Sequence, residues 1–203
     1  STDQKTVEYK ESYFPVSSFK GSTDLQIVSS GPDNEVHAIK KGFLKMISMA
    51  KESVYIQSPY FIPDEALMET IKIASLSGID VKLMIPNKPD HPFIYRATLS
   101  YAEDMINSGV EVYIYDGGFI HAKTIVIDGE ILSVGTANFD IRSFKLNFEV
   151  NTFMYDRTLA KQQVEIYHKD IEQSYLLTPE MIADYSKWER FKQQFSRLFS
   201  PIL

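Results

Sequence analysis

A regular exchange of strand-like and helix-like segments between Leu25 and Tyr115 constrains the fold of this chain more than any other feature. Leu25-Gln26-Ile27-Val28 reads as a strand, Ser30-Gly31-Pro32-Asp33 as a break, and residues 36–50 as a helix of apolar period. Val54-Tyr55-Ile56 is the next strand and the proline-bounded run 58–63 a rigid loop; Asp64 then caps a helix carrying Leu67, Met68, Ile71 and Ala74 until Gly78 stops it. A strand over 81–85, a loop over 86–92, a helix over 95–108 and a strand over 110–115 complete the series. Strands separated by helices predict a largely parallel sheet with helices on both faces.

The rhythm changes after Gly117-Gly118. Residues 120–127, 131–134 and 147–155 read as successive strands, the first two joined by the turn-forming pair Asp128-Gly129, so this block is expected to be antiparallel. Helices return over 158–175, after Thr178-Pro179, and over 187–199. The expectation is an α/β domain over 23–203, one mixed β-sheet flanked by helices on both faces, with His121 at one end of a central strand. Residues 1–22 are expected to be an extended arm or linker that Tyr13, Phe14, Val16 and Phe19 tack onto the body.

Composition removes several classes of function. The chain has no cysteine, which excludes thiol nucleophiles, thiolate metal sites and disulfides. No stretch reaches the apolar length that crosses a bilayer, and the first residues carry neither the basic nor the apolar region of a signal peptide, so a soluble piece is expected. A net charge of −6 disfavours a dedicated nucleic-acid binder, whose phosphate contacts bring a basic surplus.

Chemistry concentrates in one segment. Residues 121–128, His-Ala-Lys-Thr-Ile-Val-Ile-Asp, have the form H-x-K-x4-D, and Gly135-Thr136-Ala137-Asn138 follows. Strand alternation gives His121 and Lys123 one face, and by the same period Thr136 and Asn138 share a face. An imidazole titrating near neutrality can attack phosphorus or pass a proton to and from an alcohol. Lys123, Thr136 and Asn138 suit the non-bridging oxygens, where negative charge builds. Such a set requires no metal and no other cofactor. Alternation turns Asp128 away from His121, and its place in an Asp-Gly pair gives it a mainly structural reading. Further on, Asn147, Glu149 and Asn151 alternate with apolar residues, a polar strand face that suggests a cleft.

Together these two motifs resemble the signature of the phospholipase D superfamily. Three further stretches, 58–64, 85–92 and 141–151, resemble the cardiolipin synthases within it, as does the ending 195–203, and the likeness runs over nearly the whole chain from Gln26. The resemblance implies a phospholipase-D-like fold, with His121, Lys123, Asp128 and Glu149 as catalytic-motif residues. Glu149, 28 positions after His121, would accept the ring's other proton and fix its tautomer. Family enzymes carry two histidine motifs in two similar halves, preceded by membrane-spanning helices, whereas this chain has one motif. It is therefore expected to be the C-terminal catalytic half of a cell-membrane enzyme whose catalytic part faces the cytoplasm. The implied partners are phosphatidylglycerol, the membrane surface, and the N-terminal half or a second copy, with no nucleic acid. The implied reaction joins two phosphatidylglycerols into cardiolipin and glycerol through a phosphohistidine on the other half, with His121 donating and accepting the proton. Half a site alone is expected to have little or no activity. The competing readings are a single-motif phosphodiesterase or nuclease of the same superfamily working as a homodimer, and a lipid-binding piece without catalysis.

Other candidates divide between bland and functional roles. His37 and His168 fall in expected helices and read as ordinary surface or core residues. His91, beside Lys88 and Asp90, lines the cleft or lies on the surface, and Arg142 binds a lipid phosphate or makes an ion pair. Tyr60 and Phe61 read as core packing ahead of acyl contact. In the last helix Trp188, Phe191, Phe195, Leu198 and Phe199 form one side, with Lys187, Arg190, Lys192 and Arg197 elsewhere. Packing of that stripe against protein is expected ahead of a membrane surface.

Overall fold

In the computed structural model, residues 9–16, 21–88 and 90–200 are described; Phe19, Pro89 and the last three residues lie outside that description. In chain order the elements are β1 (Leu25–Ser30), α1 (Ala38–Met49), β2 (Ser53–Gln57), β3 (Phe61–Ile62), α2 (Glu65–Leu76), β4 (Asp80–Pro86), α3 (Pro92–Ile106), β5 (Glu111–Tyr115), β6 (Thr124–Ile127), β7 (Ile131–Gly135), β8 (Phe139–Asp140), α4 (Ile141–Lys145), β9 (Glu149–Met154), α5 (Arg157–Ile171), β10 (Ser174–Leu176), α6 (Pro179–Ala183) and α7 (Lys187–Leu198). A single 3-10 turn, Glu11–Tyr13, precedes them.

One eight-stranded mixed sheet runs in the order β1-β9-β7-β6-β2-β4-β5-β10, and β3 and β8 form a separate two-stranded parallel pair. β2, β4 and β5 are parallel to one another, and every other neighbour in the large sheet is antiparallel. Alternation along each strand divides the core. Ile125 and Ile127 join Val54, Ile56 and Leu83 against Ile39 and Phe43 of α1, Leu67 and Ile71 of α2 and Ala97 of α3. Val126, Tyr55, Met84 and Leu132 face the other way, onto Ala160 and Tyr167 of α5. Each fully buried aliphatic side chain in these layers contributes roughly 1.5–3 kcal/mol.

Strand direction decides where the loops emerge. β2 and β6 pair antiparallel with Gln57 opposite Thr124, β6 and β7 with Thr124 opposite Val134, and β7 and β9 with Gly135 opposite Asn151. The segments after β2, β4 and β7 therefore leave the sheet at the same edge at which those leading into β6 and β9 enter it. At the opposite edge the Asp128-Gly129 turn has φ of 53° and 58°, a primed hairpin conformation that glycine accepts freely and aspartate tolerates. There the Asp128 carboxylate accepts the backbone N–H groups of Lys51 (3.0 Å), Glu52 (2.8 Å) and Ser53 (2.8 Å), fastening the β6–β7 turn to the start of β2.

Several expectations are corrected. The first strand does not join the parallel group; β1 lies antiparallel on β9 at the sheet margin. The strand expected over 120–127 is regular only from Thr124, because β2 runs out into Ser58-Pro59, where proline offers no N–H to extend the ladder. The helix expected to reach Tyr175 stops at Ile171, and Ser174–Leu176 instead adds an edge strand to β5. Among the described residues of the arm, Tyr13 and Phe14 are exposed, Val16 is 98% exposed, and Phe14 stacks on Tyr9 at 5.3 Å, so these side chains do not tack it onto the domain.

Asp128→Ala removes a charged acceptor from three backbone donors and leaves alanine at a positive φ, so unfolding free energy in urea should fall by about 2–3 kcal/mol. A loss within a few tenths would mean that the turn is held by something else.

Candidate active site

The edge where those loops meet carries nearly every chemically active residue singled out in the sequence. Lys123 lies just before β6, in the parity of Ile125 and Ile127, and its side chain turns into the domain until it is 9% exposed. The ammonium donates to the carbonyl oxygen of His121 at 3.0 Å. An ammonium has three donors, so one neutral acceptor leaves it short of partners. Burial pushes its pKa below the usual lysine value, and the negative charges of Glu149, Asp140 and Asp90, in that order, oppose the fall. None of the three carboxylates makes an ion pair with it among the described residues. A partly dehydrated cation with unused donors is a seat for an anion.

Around it, β8 and α4 supply a second buried group. Asp140 caps α4 by accepting the Ser143 N–H at 2.5 Å, and the nearby Asn138 and Ser143 side chains also favour its charged form through hydrogen bonding. Burial raises the Asp140 pKa, and those hydrogen bonds offset it only in part. The Asn138 Oδ1 is buried without a partner. From the loop after β2, Tyr60 donates its hydroxyl to Asp90 Oδ2 at 2.5 Å. Burial, and next to it Asp90, holds that hydroxyl's pKa well above the ordinary phenol value. The His91 ring lies 6.5 Å from the Tyr60 ring, centroid to centroid. Ser58 ties this loop to β8, donating to the Tyr60 carbonyl at 2.7 Å and accepting the Phe139 N–H at 3.1 Å.

The other sequence candidates fall out differently. His121 is exposed, outside the regular strand, and its ring packs 5.5 Å from Phe119. The hydrogen bond expected from that ring to Glu149 is not formed; the partner of Glu149 is Asn147, whose Nδ2 donates at 3.2 Å. Thr136 was expected to offer its hydroxyl to a phosphate, but it donates to the Val150 carbonyl at 3.4 Å and accepts the Val150 N–H at 2.9 Å, which closes the β7 end onto β9. Arg142 is exposed on α4, two residues past the end of β8. Asp128 lies beyond the far end of β6, roughly 20 Å from His121 at strand spacing, which removes it from the reacting groups. A cavity of about 530 Å³ opens beside Asp128, but that carboxylate is already saturated by backbone donors and none of the motif's other polar groups lines the cavity.

Asp140 was missed in the sequence. The signal was there in the two-residue spacing from Asn138, which places both side chains on one side of a strand.

The sequence family described as cardiolipin synthase, PLD-like domain, matches residues 43–171, which takes in the H-x-K-x4-D segment, Asn138, Asp140 and Glu149. The chain belongs to this family. It is 58% identical to a cardiolipin synthase of Listeria welshimeri over 97% of its own length and 41% of the relative's. To the major cardiolipin synthase of Bacillus subtilis it is 57% identical, over 98% of this chain and 41% of the relative. The chain thus spans well under half the length of these curated relatives. Among solved structures it resembles a phospholipase D family member, Nuc, from Salmonella typhimurium, with TM-score 0.67 and 21% identity over 77% of this chain and 99% of that one. It also resembles the phosphatidylserine synthase of Haemophilus influenzae, with TM-score 0.67 and 16% identity over 89% of this chain and 48% of that one. At such identities these two show the fold alone.

Because Glu149 is the foremost charge opposing the loss of the Lys123 proton, Glu149→Gln should lower the Lys123 pKa further below the lysine norm. Following the lysine side-chain resonances through an alkaline NMR titration reads this directly; an unmoved Lys123 titration would separate the two residues.

Proposed function

We propose that this chain is the second half of a two-motif phosphatidyltransferase that joins two phosphatidylglycerol molecules into cardiolipin and releases glycerol. Residues 23–203 form the catalytic half, and residues 1–22 link it to what precedes. The observation that carries the reading is Lys123, a partly buried ammonium short of acceptors, set beside His121 at the edge where the family's motif residues assemble.

The lipid's phosphodiester docks with a non-bridging oxygen on Lys123 Nζ and on the amide of Asn138. A histidine of the other half attacks phosphorus, and the bond from phosphorus to the headgroup glycerol breaks. The departing alkoxide takes the proton of the His121 imidazolium. His121, now neutral, removes a proton from a headgroup hydroxyl of the second phosphatidylglycerol, whose oxygen attacks phosphorus and displaces the first histidine. One P–O ester is broken and one formed, with no net hydrolysis. Glu149 accepts the second ring N–H of His121 once substrate draws the imidazole off Phe119, since such contacts often tighten only in the loaded site. Asp90, His91 and Asn147 border the cleft, and Arg142 meets lipid phosphate only at its rim.

Charge balance supports a missing half. The described edge sets one buried ammonium against the carboxylates of Glu149, Asp140 and Asp90. A phosphodiester brings another negative charge, so complementary cations must arrive from elsewhere, and a second histidine–lysine motif supplies them. The N-terminal half of the same enzyme is the natural source, with a second copy as the alternative, and the whole operates at the cell membrane.

In the full-length enzyme His121→Ala should leave the fold intact and reduce cardiolipin formation by at least about 10³-fold, the scale of losing a proton-transfer catalyst. The 203-residue chain alone should make no cardiolipin while monomeric. Turnover by a monomer, or full activity in the alanine variant, would overturn the assignment.

A further inference from the structure

The last helix is built inside out. Of the 12 residues of α7, those buried against the domain are Gln193 and Ser196, while Trp188 is 63% exposed, Phe191 56%, Phe195 46% and Leu198 76%. This corrects the expectation of protein packing only for the domain itself; the same expectation also covers packing against a partner domain. Polar groups hold the helix down on α3. Arg197 donates to Asp104 at 2.6 Å and to the Ser100 hydroxyl at 3.2 Å and stacks 4.2 Å over the Tyr101 ring, and Gln194 donates to Ser100 at 3.3 Å. Arg190 donates to the Ile182 carbonyl at 3.1 Å. With its polar side committed to protein, the helix turns its aromatic side outward, the reverse of an ordinary surface helix.

That outward side is an ordered file rather than scattered exposure. Trp188 stacks on Phe191 at 5.5 Å and Phe191 on Phe195 at 6.1 Å; Phe195 meets Phe199 edge-on at 5.2 Å. Phe199 in turn touches Phe93 of α3 at 5.8 Å. Phe93 is two residues beyond His91, the ring that neighbours Tyr60 at the border of the active edge. The file therefore starts at the N-terminus of α7 and ends at the mouth of the proposed cleft. Lys187 is exposed beside its start, and Lys192, ion-paired with Glu189, holds its ammonium 5.6 Å over the Trp188 ring.

We propose that α7 is an interfacial helix that lies in an anionic lipid surface, inserting Trp188, Phe191, Phe195 and Leu198 below the headgroups so that the cleft meets lipid at its mouth. The proposal rests on the reading of the site as acting on phospholipid. A bilayer fits better than a protein partner for three reasons. The exposed apolar side chains form a single file of stacked rings along one side of α7. Tryptophan and phenylalanine suit the headgroup boundary, and the exposed Lys187 beside them suits anionic lipid. And the file leads to a site whose substrate would be drawn from that surface.

Trp188 is the chain's single tryptophan, so its emission reports on this ridge alone. Mixing the 203-residue chain with phosphatidylglycerol vesicles should shift the emission to shorter wavelength, allow quenching by bromines placed on the acyl chains, and float the protein with the lipid. Phe191→Ser with Phe195→Ser should lower vesicle affinity by at least about tenfold, because the apolar surface that a bilayer buries is gone. Far-UV circular dichroism should not change, since both side chains are exposed. An emission maximum indifferent to vesicles, together with absence of flotation, overturns the proposal. So does a shift that needs no lipid and grows with protein concentration alongside dimer formation, which would make the ridge a protein interface. The two readings fail separately: flotation alongside a fully active His121→Ala enzyme sinks the site assignment and leaves the docking, whereas lost cardiolipin synthesis in that enzyme with a chain that ignores vesicles does the opposite.

Discussion

The antiparallel ladder between β2 and β6 is the contact on which the active edge depends. The histidine–lysine motif precedes β6, so its position follows from the direction in which that strand runs. Laid parallel to β2, β6 would start at the far edge, beside Asp80 and Glu52, and the motif would face none of the loops that complete it. Laid antiparallel, with Gln57 opposite Thr124, it starts where β2 and β4 end. In open α/β sheets the carboxyl ends of parallel strands are where ligands bind, and here the antiparallel block delivers its own residues to the same place. Asp128 secures that arrangement from the other end, because its carboxylate joins the β6–β7 turn to the backbone that begins β2. The acidic residue of the motif thus serves geometry at a distance from His121 and Lys123.

Electrostatics at the edge are unbalanced. Burial disfavours the Lys123 charge, and the surrounding carboxylates recover only part of the loss, since the net shift is still downward. An arriving phosphate oxygen would give the ammonium the acceptor it lacks. Asp140 responds in the opposite sense, for burial raises its pKa.

Most of the fold was legible because strand alternation, caps and glycine stops are local signals. Asp64 caps α2 and Gly78 ends it at a positive φ, as those residue types require. The H-x-K-x4-D run was legible as chemistry because its spacing is fixed along one strand. What could not be read locally is what depends on a neighbour. Whether 120–123 extends a strand is decided by Pro59 just beyond β2, and whether 174–176 is helix or strand is decided by the free edge of β5. The engagement of Thr136 is of the same kind: nothing in Gly-Thr-Ala-Asn says that the hydroxyl meets the backbone of β9, 14 residues on. Asp140 was accessible from its spacing to Asn138, but its burial followed only from the pairing of β8 with β3.

The last helix shows why an amphipathic pattern identifies a face without saying what it meets. Periodicity places Trp188, Phe191, Phe195 and Leu198 together, and the hydrophobic effect ordinarily turns such a stripe toward protein. Here the competing side of the helix carries arginines whose partners already stand on α3, Asp104 for Arg197 and, at 3.8 Å, Glu103 for Arg190. Only one side of a helix can face the domain. The ion pairs and the Arg197–Tyr101 stack determine that it is the polar one, so the aromatic side is left for another apolar phase. For an enzyme whose substrate and product would both reside in a bilayer, an outward aromatic face leading toward the motif edge is a physical route between the lipid and the lysine proposed to hold its phosphate.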